Sequence, residues 1–453
     1  MSHSRSADTP GEAPRTFPVT NTAVLAIAVP MTLAFVTTPL LGLVDTAVVG
    51  RLGVAAQMGG LAVGAVLFDV VFSSLNFMRA STTGLVAQAM GRDDEKEQTA
   101  VLARALLLAL ALGALTFALG DPILSLGLAL VAPTPAVAEA VTTYFAIRIM
   151  AAPLTLANYA LLGWTMGLAR SGLGLALQVV LNGTNIVLSL YFGLHLGWGI
   201  AGVAWATVIA EGVGVAAGLV AAAVLLRGTD MPSRTRILEA AAFGRLFALN
   251  RDIMIRSFCL LGAFFAFTAL GSRFGEVTLA ANAVLMNFFM IAGFFLDGMA
   301  TASEQLAGRA VGARWRAGFD RAVALTLRWG WLLGGGCTLL FLVAGPWLID
   351  LITVNETVRE AARAFLPYAA ATGIVGTLAF QMDGVYIGAT WSRTMRDMML
   401  ISVALYGVAA AFALWIGSNH LLWIALLIFL GARGITLWRR LPRLADQTFP
   451  APA

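Results

Sequence analysis

Asp45 lies inside an apolar run, Ala23 to Val49, in the stretch TTPLLGLVDTAVVGRLG (residues 37–53). The run is long enough to cross a bilayer at about 20 residues per crossing. An ionised acid at that depth is costly, which makes it a functional candidate by default. Its chemistry would be reversible protonation: neutral with its proton, and a counter-charge for a cationic ligand without it. The bland alternative is a structural aspartate hydrogen-bonded to neighbouring helices. Pro30 and Pro39 share the run; each removes a backbone hydrogen bond, so protonation of Asp45 would act on a helix ready to bend, unless the kinks are static.

Other polar residues recur at helical spacing. Asp69, Ser73, Asn76, Ala80, Thr83 and Ala87 follow each other at intervals of three and four, which puts a polar and small stripe on one helix face, turned to protein or to a water-filled cavity. Arg79 stands beside the stripe and offers Asp69 an ion pair. Asn182, Asn185, Ser189 and Thr207 are uncharged groups able to satisfy Asp45 directly or through water. Further on, Arg256, Asn282, Asn287, Asp297, Glu304 and Asp383 are expected to form a polar network in which acids and arginine pair. The dense Phe and Met residues between Phe264 and Met299 read as core, or as the adaptable wall of a promiscuous apolar site.

Membrane helices must carry these groups. Of 453 residues 59% are hydrophobic and 12% charged, whereas a soluble domain has about 25% charged residues. Twelve apolar runs are expected, near 20–49, 58–89, 98–120, 137–168, 173–194, 199–226, 246–271, 277–311, 322–350, 358–388, 395–416 and 419–438. If they alternate in direction, Arg92, Lys96, Arg170, Arg227, Arg314, Arg393 and Arg439 fall on one side, and Arg51, Arg273, Arg359 and Arg363 near the other. The positive-inside rule then puts both termini in the cytoplasm.

The net charge of +5 is spread over short loops and is explained by that topology, so nucleic acid is not an expected partner. Cys259 and Cys337 form no CxxC pattern, and neither a metal site nor a disulfide framework is expected. His3, His195 and His420 read as tail and helix-end residues. No HExxH, GxSxG or GxxxxGK[ST] occurs, and no nucleophile and base pair stands out, so an enzyme is not expected.

The chain also meets itself. GRLGVAAQMGGLAVG from Gly50 answers to SRFGEVTLAANAVLM from Ser272, STTGLVAQAMG to ASEQLAGRAVG, and LLGWTMGLARS to MDGVYIGATWS, at a shift of about 221 residues. Two halves of six helices follow, in the same orientation and related by an axis along the membrane normal. The expected division is a disordered cytoplasmic tail (1–19), an N-terminal lobe (20–227), a cytoplasmic linker (228–245), a C-terminal lobe (246–440) and a second cytoplasmic tail (441–453). Asp45 has no counterpart: Phe267 takes its place in the repeat.

PLLGLVDTAVVGRLG, STTGLVAQAMG, LNRDIMIRS and DGVYIGAT, in this order, resemble the multidrug and toxic compound extrusion (MATE) family, in its DNA-damage-inducible protein F (DinF) branch. The resemblance implies an all-α integral membrane fold of two pseudo-symmetric six-helix bundles arranged as a V. It implies export of lipophilic, often cationic, compounds in exchange for protons or sodium, with Asp45 matching the coupling aspartate and Asn185, Ser189 and Thr207 its companions. Many relatives carry a second aspartate where this chain has Ser189, and one acid suits a proton better than a bare cation. The expectation is a proton-coupled, monomeric antiporter of the inner membrane, in contact with lipid and small substrates and without cofactors. The competing expectations are sodium coupling, a flippase for anionic lipid-linked precursors drawn to Arg79, Arg148 and Arg256, and a receptor or channel.

Overall fold

The computed structural model describes residues 16–450. Residues 1–15 and 451–453, parts of the two expected tails, lie outside them. Twelve helices are long and apolar enough to cross a membrane: α1 (Asn21–Gly50), α2 (Ala55–Gly91), α3 (Glu95–Ala118), α4 (Pro135–Gly167), α5 (Ser171–His195), α6 (Gly199–Leu225), α7 (Arg234–Phe274), α8 (Glu276–Gly312), α9 (Arg316–Ile352), α10 (Glu356–Gly388), α11 (Ser392–Ile416) and α12 (Asn419–Thr448). Each coincides with one expected run. No strand occurs among the described residues, as hydrocarbon requires: a helix satisfies its backbone internally, where an open sheet edge would not.

Local chemistry sets the ends. Thr20 caps α1 by accepting from the Ala23 amide at 3.2 Å, and Asp94 caps α3 through the Glu97 amide at 3.0 Å. α1 runs unbroken through Pro30 and Pro39. α2, in contrast, is interrupted at Asn76, between Leu75 and Phe77, and α4 passes through a 3-10 turn at Ile149–Ala151.

The expected boundaries shift where helices outlast their apolar runs. Phe17 and Val19, placed in the N-terminal tail by sequence, are buried; the Phe17 ring meets Trp315 edge-on at 5.2 Å and lies under the Arg309 guanidinium at 4.2 Å. The expected linker is partly helical, with α7 beginning at Arg234. α12 continues to Thr448, well into the expected C-terminal tail, because Leu437, Leu441 and Ala445 repeat at a spacing of four and bury that face.

The repeat is repeated in backbone detail. Asp93 and Arg314, 221 residues apart, both adopt positive φ (59° and 52°), as do Ala169 and Thr390 at the same separation (56° and 57°). Gly167 of α4 sits against the Thr83 carbonyl of α2, and Gly388 of α10 against the Glu304 carbonyl of α8, again displaced by 221 in both partners. A side chain at either glycine would collide with that carbonyl. Within each half, the first helix packs on the fifth and the second on the fourth.

The halves touch at the end that carries most basic residues. There the Gln88 amide donates to Gly388 O at 2.9 Å and to Thr390 Oγ1 at 3.1 Å, and Trp329 donates to Asn21 Oδ1 at 3.0 Å. Gly312 approaches the Gln88 backbone so closely that a Cβ has no room. Toward the other end Thr38, Leu40 and Leu43 of α1, Asp69 and Ser73 of α2, and Asn287 and Met290 of α8 are exposed. Acid and hydroxyl groups exposed in mid-helix fit a polar cleft between the lobes better than a face turned to lipid, and the contacts above close that cleft at the basic end.

Gly312→Leu is therefore expected to part the lobes at the basic end, since overpacking such a contact costs about 1–3 kcal/mol. Spin labels at Lys96→Cys and Ala317→Cys, in a Cys259→Ser/Cys337→Ser background, should give a longer distance distribution with the leucine present. An unchanged distribution would mean that the contact does not hold the lobes together.

Candidate functional site

The groups that sequence places around Asp45 come together between α1, α5 and α6. Asp45 is only 9% exposed, and its Oδ1 accepts a hydrogen bond from Ser189 Oγ at 2.9 Å. Ser189 also lies 3.5 Å from Asn185 Oδ1; the Asn185 amide donates to Thr207 Oγ1 at 3.0 Å, and Thr207 donates to Val203 O. Thr207 thus reaches Asp45 through Asn185 and Ser189. Eight residues below Asp45, two helical turns and more along the same face, Thr37 Oγ1 accepts from Asn182, whose own Oδ1 accepts from Gln178 at 3.2 Å. α1 and α5 are zipped by these two polar contacts, Thr37 with Asn182 and Asp45 with Ser189. No cation forms an ion pair with Asp45 among the described residues; its strongest link is the Ser189 hydroxyl.

Two intramembrane charges that sequence reading left out of the site frame it. Arg148 of α4 donates to Tyr144 Oη, lies over the Phe68 ring at 4.7 Å, and acts electrostatically on Asp45 and Asp69. Glu211 of α6 accepts from Asn158 at 2.6 Å. Glu211 stands in the apolar stretch ATVIAEGVGVAAG, so the signal that singled out Asp45 was equally present there.

The α2 stripe divides at the break. Asp69, Ser73 and Asn76 are exposed in the cleft, whereas Ala80, Thr83 and Ala87 are buried. The expected Asp69–Arg79 pair is not formed: ten residues of helix span about 15 Å, and beyond the break Arg79 turns to the other lobe. It lies 3.8 Å from Glu304 Oε2 and donates to Asn76 Oδ1 at 3.3 Å.

The expected network of the C-terminal lobe is smaller than its list of residues and differently composed. Asp383 of α10 is the hub, accepting from Arg256 of α7 and lying 3.3 Å from Arg433 of α12. Arg433, 2% exposed and missed in the sequence, rests on the Phe380 ring at 5.3 Å. Asp297 is exposed rather than enclosed, within electrostatic reach of Arg79, Arg256 and Arg433. Asn282 and Asn287 do not belong. Asn282 exchanges two 2.9 Å hydrogen bonds with Asn419 and accepts a third from Trp423, and Asn287 bonds back to carbonyls of its own helix. At the position equivalent to Asp45, Phe267 is fully buried against Trp423, with ring centroids 4.8 Å apart.

Carboxylates are thus dispersed, and among the described residues no group of three His, Cys, Asp or Glu side chains is arranged to hold a metal. What the arrangement offers is one acid beside a cleft, hydrogen-bonded by a hydroxyl, with a path of polar side chains behind it.

The MatE family model matches residues 30–191 and 253–423, one segment in each lobe. The chain is 38% identical over 432 residues to DNA damage-inducible protein F of Escherichia coli (strain K12), covering 92% of each. It is 30% identical over 435 residues to a probable multidrug resistance protein NorM of Deinococcus radiodurans, covering 91% of this chain and 90% of that one. Among solved structures it superposes on a MATE crystal structure in the bent conformation (TM-score 0.85) and on a MOP superfamily transporter from Pyrococcus furiosus (TM-score 0.84), each 18% identical and covering 94% of this chain and 96% of the other. With matching segments in both lobes and a relative aligned along nearly its whole length, the chain belongs to the multidrug and toxic compound extrusion family of membrane transporters.

Proposed function

We propose that this protein is a secondary active antiporter that exports lipophilic, often cationic, organic compounds in exchange for protons, with Asp45 as the residue where proton and cargo compete. The observation that carries the reading is the isolation of Asp45: a nearly buried acid beside the cleft with a hydroxyl partner and no ion pair. Breaking a buried ion pair leaves an uncompensated charge and is costly, so an acid already paired to an arginine would exchange ligands poorly. Asp45 is spared that cost.

With the basic end in the cytoplasm, closure by Gln88 and Gly312 at that end leaves the cleft open outward. In this state Asp45 takes a proton from outside and the cargo loses its counter-charge and leaves. When the lobes reorient, the proton is lost to the cytoplasm and the carboxylate favours a new cation. Exchange of one monovalent cation for one proton moves no net charge, so the membrane potential of about 2.3 kcal/mol per charge per 100 mV neither drives nor opposes it. Ser189 in place of a second carboxylate favours the proton over sodium, which prefers more anionic oxygen. A flippase for anionic precursors is disfavoured because Arg79 lies against Glu304, and Arg256 and Arg433 lie against Asp383, so these three arginines already face an acid. The setting is the inner membrane of a bacterial-type cell, with the protein acting as a monomer.

In weakly buffered detergent, tetraphenylphosphonium should release protons from the purified protein and none from Asp45→Asn; equal release from both would move the coupling site elsewhere. Ser189→Asp introduces a second carboxylate at the position whose hydroxyl lies 2.9 Å from Asp45 Oδ1. It should make cation binding sodium-sensitive where the parent is not, as judged by the tetraphenylphosphonium Kd with and without sodium. Arg433→Met separates the two lobes' roles: leaving Asp383 with fewer partners should lower stability by about 3–5 kcal/mol, read as a lower melting temperature, while proton release persists. Loss of release in a variant that still melts cooperatively would bring the Asp383 cluster into coupling.

A further inference from the structure

The residues just before α1 do not stay with their own lobe. In TFPVT (residues 16–20), Pro18 disfavours helix at Phe17, and Thr20 caps α1 with an extended backbone. The chain below α1 is therefore a short strap and not a further helical turn. Exposure alternates along it: Thr16, Pro18 and Thr20 are exposed, Phe17 and Val19 buried, as in an extended segment with one face against protein.

The Phe17 ring meets the other lobe. It stands edge-on to Trp315, in the turn between α8 and α9, and packs under the Arg309 guanidinium of α8 at 4.2 Å. Asn21, the first residue of α1, accepts from Trp329 of α9 at 3.0 Å. Thr16 and Phe17 also share a recess of about 190 Å³ with Met90, Gly91 and Asp93 at the end of α2 and with Arg309. That place is the seam between the lobes: a Cβ on Gly91 would strike the Arg309 carbonyl, as one on Gly312 would strike that of Gln88. The strap thus lies across the α2–α8 junction and ties the start of α1 to the C-terminal lobe. The repeat holds no second copy. At the shift of 222 set by the positive-φ glycines Gly53 and Gly275, Phe17 answers to Glu239 and Val19 to Ala241, both exposed.

We propose that residues 16–21 form a latch at the basic end: Phe17 and Asn21 hold the seam closed while the cleft is open at the other end, and both contacts release before the basic end opens. An aromatic edge, a cation over a ring and one hydrogen bond are each weak enough to break and re-form. The latch rests on the reorientation of the lobes in the proposed function; which ion and which cargo move does not enter it.

The test reads the seam through a thiol. Gln305 of α8 is fully buried there, its amide 3.8 Å from Met90 Sδ of the other lobe. Gln305→Cys, in the full chain with Cys259→Ser and Cys337→Ser, reacts with N-ethylmaleimide when the seam opens, so its rate follows the open population. Phe17→Ala should raise that rate about fivefold or more, and Asn21→Ala about two- to tenfold. Phe17→Tyr keeps the ring and Phe247→Ala lies on an exposed face of α7; each should leave the rate within about twofold. A second reporter, Val141→Cys, fully buried in α4, should keep its rate in every variant, which separates release of the latch from loosening of the fold. Gly312→Leu, which forces the seam apart without touching the strap, should accelerate the reaction at Gln305→Cys independently of the latch. Acceleration in Gly312→Leu with none in Phe17→Ala and Asn21→Ala would overturn the latch and leave reorientation standing. No acceleration in any of the three would overturn both, and equal acceleration at Val141→Cys would reduce Phe17 to general packing and overturn the latch as well.

Discussion

A charge inside a bilayer must be paired, hydrated or neutralised by a proton, and the acids of this chain meet that constraint in different ways. In the C-terminal lobe Asp383 is held between Arg256 and Arg433. Between the lobes Glu304 faces Arg79. Asp69 and Asp297 are exposed to the cleft. Asp45, nearly buried, has the Ser189 hydroxyl as its hydrogen-bond partner, and Glu211 has the Asn158 amide, with no ion pair to either among the described residues. The same rule that fixes the paired groups leaves these two acids without a fixed counter-charge.

The glycines set what the pairing rule can act on. Closure of the basic end depends on backbones in near contact, and Gly312 against Gln88 is possible only without a side chain. The small residues of STTGLVAQAMG and ASEQLAGRAVG thus have an energetic role in the interface as well as a diagnostic one in the sequence. They bring Arg79 within 3.8 Å of Glu304 on the opposite lobe, a pairing that has no basis in either helix taken singly.

What was legible in sequence follows from this physics. Twelve spans and two repeated halves could be read because hydrocarbon leaves the backbone little choice but helix. The Asp45, Ser189, Asn185 and Thr207 string was legible through the family resemblance and through spacing on one face of α5. Partner choice across helices was not. Asp69 beside Arg79 looked like a pair, but the interruption at Asn76 sends Arg79 to Glu304. Asn282 looked like part of a charged network and instead closes a neutral cluster with Asn419 and Trp423, residues more than a hundred positions away. Arg433 and Glu211 were visible as charges in apolar runs; only three-dimensional neighbours show that Arg433 completes the Asp383 hub.

The repeat shows where the two lobes part company: Asp45 in the first half answers to Phe267 in the second. The Phe267 ring fills its place against Trp423, while the loss of Asn182, Asn185 and Ser189 equivalents removes the hydrogen bonds that hold the first and fifth helices together. α7 and α11 still pack on each other, but through apolar side chains, and an apolar groove lined by Cys259, Val403, Tyr406 and Ala410 runs along their seam where the first lobe has polar contacts.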